Sequence, residues 1–229
     1  MVLLKKLFIG PQVGDKSCKN AILEQAENVK NVWQNISIPA FGVERIIKLF
    51  LTSVQFAFPA LYIRYFFGRH GMLSRKLGNE TYTLFKVVLP ILLIFFSFKT
   101  WFLAALIIYF GIETFLYTAN ILFLQGIYTR PISNKRSLIL GMMNYLEIVI
   151  DFSYLYYFLN SLSNISDKFD YFYFSIITSA TIGFGDIIPI SNKPIVVIQI
   201  FISLFFTMFL LGYFLQNISN TNVWHDKKS

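Results

Sequence analysis

Only one cysteine, Cys18, occurs in the 229 residues, so no intrachain disulfide can form. Cys18 has no Cys or His neighbour at ligand spacing, which leaves it a silent thiol and not a metal ligand. Charge is scarce too: 14% of the residues are Asp, Glu, Lys or Arg, too few to cover a soluble domain of this size. The basic excess, 20 Lys and Arg against 12 Asp and Glu, is dispersed between apolar segments and forms no stripe. That dispersal excludes a phosphate footprint, and nucleic acid is not expected as a partner. No secretory leader is evident either. Met1 to Pro11 carries Lys5 and Lys6 beside an apolar run too short for an h-region, with no small-residue cleavage site after it, so it is expected to belong to the mature chain.

What is present is hydrocarbon-compatible: 55% of residues are hydrophobic and 18% are aromatic. Apolar stretches approach the ~20 residues that cross a ~30 Å hydrocarbon layer. Residues 1–45 form the longest polar region, and Ile22, Ala26, Val29, Trp33 and Ile36 predict an amphipathic helix over roughly 17–37. Residues 46–67 are apolar but interrupted by Lys48, Gln55, Pro59 and Arg64, and are expected to lie in the inner interface. Residues 84–125 are too long for one span and are broken at Lys99-Thr100-Trp101, which predicts a transmembrane hairpin. Two further helices are expected over 138–160 and 195–218, with a tail at 219–229. Basic residues cluster at Arg64, Arg69, Arg75 and Lys76 and at Arg130, Lys135 and Arg136, which places both connections and both termini in the cytoplasm.

Between the last two helices lies Asp170-Tyr-Phe-Tyr-Phe-Ser-Ile-Ile-Thr-Ser-Ala-Thr-Ile-Gly-Phe-Gly-Asp186-Ile-Ile-Pro189, too short to span and too glycine-interrupted to be one helix. Irregular backbone at membrane depth survives only where protein buries it or water lines it. A half-helix over 171–180 followed by an extended return meets that condition. Its C-terminal carbonyls would favour a cation near the membrane centre. Gly183 and Gly185 open positive φ, so the carbonyls of Thr181 to Phe184 can face one axis while Ile182 and Phe184 pack outward. Asp170 is expected to cap the half-helix.

The run Thr181-Ile182-Gly183-Phe184-Gly185-Asp186, with Pro189 after it, resembles the filter of the potassium channel pore family, and the likeness covers about 138–218. It departs from that family in having Ala180 where a second Thr is common and Phe184 where Tyr is commoner, so two hydroxyls near the filter are missing. The resemblance implies an all-α membrane protein with four transmembrane helices, five if 46–67 also crosses, plus a re-entrant pore helix and selectivity filter in a tetrameric pore. It implies K+ bound by Thr181, Ile182, Gly183 and Phe184 within a filter ending at Gly185, with Asp186 at the outer mouth. Ser203, Phe206 and Thr207 become candidates for cavity lining. The expected function is passive, potassium-selective conduction by a non-enzyme. It has no cofactor but the permeant ion, and its partners are three further copies and the bilayer of a multi-pass plasma membrane protein. A weakly selective cation channel, a non-conducting partner subunit and an ion-coupled transporter are the competing readings; the last usually needs four pore repeats where this chain has one.

No helix carries Arg at every third position, and Phe102 to Leu124 contains Glu113 with no Lys or Arg, so weak intrinsic voltage sensitivity is expected. Glu113, Glu147 and Asp151 lie within expected spans, where acids are costly. Either they sense protons or ions, or they fasten helices by pairing with a group such as Lys86 or Asn144; the second is favoured. Gly212 serves as a lower hinge or as a small residue at a helix contact. With eleven residues after Ile218, no cytoplasmic sensing domain is expected there, and Trp224 reads as an interface anchor. Tyr154, Tyr156 and Tyr157 read as packing residues.

Overall fold

The computed structural model describes residues 20–34, 41–123 and 134–219. The expectations at Cys18, Ile36, Arg130 and Trp224 lie outside these residues. All regular elements are helical: α1 (Ala21–Gln34), α2 (Gly42–Val54), a 3-10 turn (Gln55–Ala57), α3 (Pro59–Gly68), α4 (Met72–Phe95), α5 (Trp101–Phe123), α6 (Asn134–Leu159), α7 (Phe169–Ser179) and α8 (Lys193–Ser219). Among the described residues four helical stretches are long and apolar enough to cross a membrane, Ser74–Phe95, Trp101–Phe123, Leu138–Leu159 and Lys193–Gly212, and the bent pair Gly42–Ala57 with Pro59–Gly68 would make a fifth if it is one span. The fold is therefore that of an all-α membrane protein. α4 opens at Met72, ahead of the hairpin start expected at residue 84, because the polar stretch before it, with Arg75, Lys76, Leu77 and Glu80, is rich in helix formers and holds no proline.

The chain divides into two compact units, Met1–Leu84 with Ala119–Thr129, and Phe85–Thr118 with Arg130–Ser229. In the first, the segment expected as one helix over 46–67 is two, bent by 65°. The cause is Pro59. A residue before proline is driven from helical to extended backbone, and Phe58 has φ −107° and ψ 143°, while Pro59 opens α3 where its missing N–H is harmless. The face that α1 buries within the unit lies beside its apolar stripe. Ala21, Gln25, Asn28 and Val32 are buried, whereas Ala26 and Trp33 are exposed. Polar Gln25 turns inward because its amide donates to the Thr52 carbonyl at 2.8 Å, which satisfies a group that would otherwise oppose burial.

In the second unit, α6, α7 and α8 enclose an aromatic core in which Tyr154, Tyr156 and Phe206 are essentially inaccessible. Gly141 lets α6 approach α8: a Cβ there would lie 3.2 Å from Leu210 and 3.4 Å from Phe209. The turn joining α4 to α5 is tied to the segment around α7. Lys168 donates to the Phe95 carbonyl at 2.9 Å and to the Ser97 hydroxyl at 2.5 Å. Tyr154 donates to the Phe98 carbonyl at 3.2 Å, and the Lys99 ammonium lies 4.1 Å over the Tyr157 ring.

Candidate functional site

The half-helix α7 starts from a local hydrogen-bonded turn. Asp170 does not cap its own helix as expected: its Oδ2 accepts from the amides of Ser166 and Asp167, at 2.6 and 3.1 Å, which precede α7. Asp167 takes the capping part, accepting from the Phe169 amide at 2.6 Å. The far end closes with a 6→1 bond from Ile182 N to Ile177 O and a 5→2 bond from Thr181 N to Thr178 O, at 3.0 and 3.1 Å. This is the Schellman pattern, which needs a left-handed residue just past the helix. Thr181 supplies it at φ +57°, unusual for a β-branched residue.

From there the backbone alternates. Thr181, Gly183 and Gly185 have φ of +57°, +58° and +80°, while Ile182 and Phe184 do not enter the left-handed region. Alternation of hand turns successive carbonyls toward one side of the chain, which a regular strand does not do. Residues 180–186 are all exposed in the single subunit. Phe184 lies parallel to the Tyr173 ring of α7 with centroids 6.4 Å apart, whereas Ile182 remains 57% exposed. The Asp186 carboxylate stands beside the Tyr173 hydroxyl, and this neighbour, followed by burial, raises the phenol above its ordinary 10.0.

Past Asp186 the return is stitched to the loop after α6. Ser163 N donates to the Ile188 carbonyl and Ile190 N to the Ser161 carbonyl, both at 2.9 Å, around an antiparallel bridge between Leu162 and Pro189. The Asn164 amide donates to the Asp186 carbonyl at 3.0 Å. The return is thus held at both ends.

Behind α7 is a buried polar network with no sequence motif. Gln199 of α8 donates to Ser175 O, Ser175 Oγ and Ser179 Oγ at 2.9, 2.8 and 2.7 Å, and accepts from Tyr156 of α6 at 2.5 Å. Ser175 donates in turn to the Val149 carbonyl at 2.6 Å, and Tyr145 to the Ser179 carbonyl at 3.1 Å. Three helices are fastened by amide and hydroxyl groups that hydrocarbon would otherwise penalise. Only an i, i+4 pair of serines on α7 facing a lone Gln in a 20-residue apolar run could have signalled it.

Of the residues considered for cavity lining, Ser203 and Phe206 turn into the subunit's own core, with Phe206 stacked on Tyr145, and Thr207 lies on the exposed face of α8. α8 runs helical through Gly212, and a Cβ there would meet nothing within 4 Å. The intramembrane acids divide. Glu147 lies 3.0 Å from the Lys86 ammonium and accepts from Thr114 at 2.6 Å, and Glu113 lies 3.7 Å from Lys86. Lys86 also donates to Thr114 at 2.5 Å. These contacts knit α4, α5 and α6 together. Asp151, one turn from Glu147, accepts no hydrogen bond among the described residues.

Comparison with curated proteins and with solved structures gives no significant match. Residues 144–220, from the middle of α6 through α7 and its glycine-spaced return to the end of α8, match a family model described as ion channel, and in this stretch the chain is similar to that family.

Proposed function

We propose that the protein is one subunit of a homotetrameric potassium channel, conducting K+ passively through the backbone oxygens of Thr181 to Phe184. The observation that carries this reading is the alternation of left-handed backbone at 181, 183 and 185 directly after a half-helix whose C-terminal end points to the same place. A row of carbonyls on one side of a short chain is of use only when other copies complete rings around an ion, and fourfold rotation is the simple way to close such rings. Asp186, beside Tyr173, marks the outer mouth, and no cofactor enters the scheme beyond the permeant ion. The dispersed basic residues orient both termini to the cytoplasm of a plasma membrane. With no Lys or Arg in α5, gating by voltage alone is weak.

The test is flux from liposomes of purified protein under a K+ gradient, repeated with Na+. Barium-sensitive K+ flux in large excess over Na+ is expected. Gly183→Ala and Gly185→Ala meet no steric obstacle in the subunit, yet each places a Cβ at φ +58° or +80°, a strain of about 1–2 kcal/mol at the carbonyls themselves. Both variants are expected to assemble and to lose K+ flux. Equal K+ and Na+ flux in the parent would instead favour a weakly selective cation channel, and selective flux retained in both variants would remove the carbonyl scheme.

A further inference from the structure

A cavity of about 460 Å³ lies within the second unit between α5, α6 and α8, lined by Ala105, Ile108, Gly111, Asp151, Leu155 and Ile198 among others. This is within the ~300–1,000 Å³ range of small-molecule sites. Every residue along its wall is apolar except Asp151. That carboxyl is 4% exposed, and neither of its oxygens has a hydrogen-bond partner among the described residues.

The neighbours explain why Asp151 is unsatisfied. The cation within reach of this region, Lys86 on α4, is committed to Glu147 at 3.0 Å, to Glu113 at 3.7 Å and to the Thr114 hydroxyl. One ammonium therefore faces the carboxyls of Glu113, Glu147 and Asp151. The α8 side of the cavity offers only Ile195, Ile198 and Ile202. Asp151 Oδ2 rests against Gly111, where an added Cβ would come to 3.4 Å, so the residue opposite the carboxyl is the one that leaves it room.

The geometry points to a binding site for a hydrophobic amine, its protonated nitrogen on Asp151 and its apolar body along α5 and α8. The reasoning is by elimination on chemistry. A carboxyl in an apolar site either keeps its proton or needs a cation that brings N–H donors with it. An inorganic cation needs several oxygen ligands, and no group of three His, Cys, Asp or Glu side chains suited to a metal occurs among the described residues. Sugars, nucleotides and anions would find no polar partners on the wall. An alkyl amine supplies one charge, the donors that Asp151 lacks, and a chain that fits the remaining surface. Trp101, Ile108, Ile112 and Ile198 at the rim are themselves exposed, so entry is sideways from hydrocarbon, where such a molecule accumulates. An occupant touches α8, the helix that follows the return segment, and its presence therefore bears on conduction. That consequence rests on the channel reading; the binding itself does not.

The experiment uses the full chain in lipid nanodiscs and radiolabelled octylamine, with 1-octanol and octyltrimethylammonium as matched probes. Saturable octylamine binding, about 10- to 100-fold tighter than that of octanol, is expected from one charge-assisted hydrogen bond made in a dry site. Octyltrimethylammonium, which has the charge without an N–H, is expected to bind more weakly than octylamine. Asp151→Asn should bring octylamine down to the level of octanol, and Ala105→Trp should fill the cavity and remove binding of all three probes. Should Asp151→Asn fail to fold, the ranking of probes on the parent and the loss in Ala105→Trp decide the matter. Equal binding of octylamine and octanol would mark a site for uncharged chains such as lipid tails and overturn the assignment. So would absent saturable binding, as when a neighbouring subunit fills the space, or octylamine binding unchanged in Asp151→Asn. Potassium flux is read separately, so a protein that binds octylamine without conducting refutes only the channel reading.

Discussion

Replacing Gln199 by leucine keeps a side chain of similar bulk in α8 while deleting four hydrogen bonds to Tyr156, Ser175 and Ser179. Not all partners are stranded. Ser175 keeps its donation to Val149 O, and its own carbonyl remains in the ladder of α7. The Tyr156 hydroxyl, 1% exposed, is left with no acceptor. Interhelical hydrogen bonds in bilayers average ~0.6 kcal/mol, and a buried donor without a partner costs about 1–3 kcal/mol, so Gln199→Leu is expected to lose about 2–4 kcal/mol. Adding Tyr156→Phe removes the stranded hydroxyl, and the double variant should recover about 1–2 kcal/mol of that loss. The assay is reversible unfolding in bicelles by detergent titration, run as a double-mutant cycle. A Gln199→Leu protein within about 0.5 kcal/mol of the parent, or strictly additive effects in the double variant, would refute the claim that this network seats the half-helix.

Other perturbations have equally definite outcomes. Gly78→Ala should destabilise by about 1–2 kcal/mol although alanine is the better helix former, because its Cβ would fall 2.5 Å from the Phe67 ring; thermal unfolding gives the sign. Lys86→Met strands Glu147 and should cost about 3–5 kcal/mol, more than Glu147→Gln, as the same unfolding assay would show. Tyr173 should ionise above 10.0, so it stands as a neutral phenol beside the Asp186 carboxylate at neutral pH and becomes a phenolate only as pH rises through that elevated value. A spectrophotometric titration differenced against Tyr173→Phe would detect this, and Asp186→Asn should bring the transition down.

The half-helix and the positive φ of Gly183 and Gly185 were legible in the sequence because they are local choices of consecutive residues; the left-handed Thr181 was not, since a β-branched residue rarely takes that backbone. The long apolar runs announced the spans for a similar reason, since hydrocarbon admits few alternatives to a helix. What escaped were choices made across the fold. The face that α1 buries within the unit is marked by Gln25 finding Thr52, 27 positions away, a pairing that no local pattern encodes. Pro59 was visible, but only the angle between α2 and α3 shows that it ends one helix and begins another. The absence of a hydroxyl at Ala180 was plain from the sequence, but that Ser175 and Ser179, reached by Gln199 from α8, tie the half-helix down was not. Lys86 was a foreseeable partner for Glu147; that it would leave Asp151 unserved depended on distances no pattern encodes.

The latch between the α4–α5 turn and the loop ahead of α7 has a mechanical corollary. Lys168 and Tyr154 bond to the tip of the hairpin while its own Lys99 reaches over Tyr157, which couples the tip to the loop ahead of α7 and to α6. On the channel reading proposed above, a tilt of the hairpin in a thinned or stretched membrane would be passed to the outer mouth through these contacts before α8 itself moved. The outer rim would then be the short arm of a lever whose long arm lies in lipid.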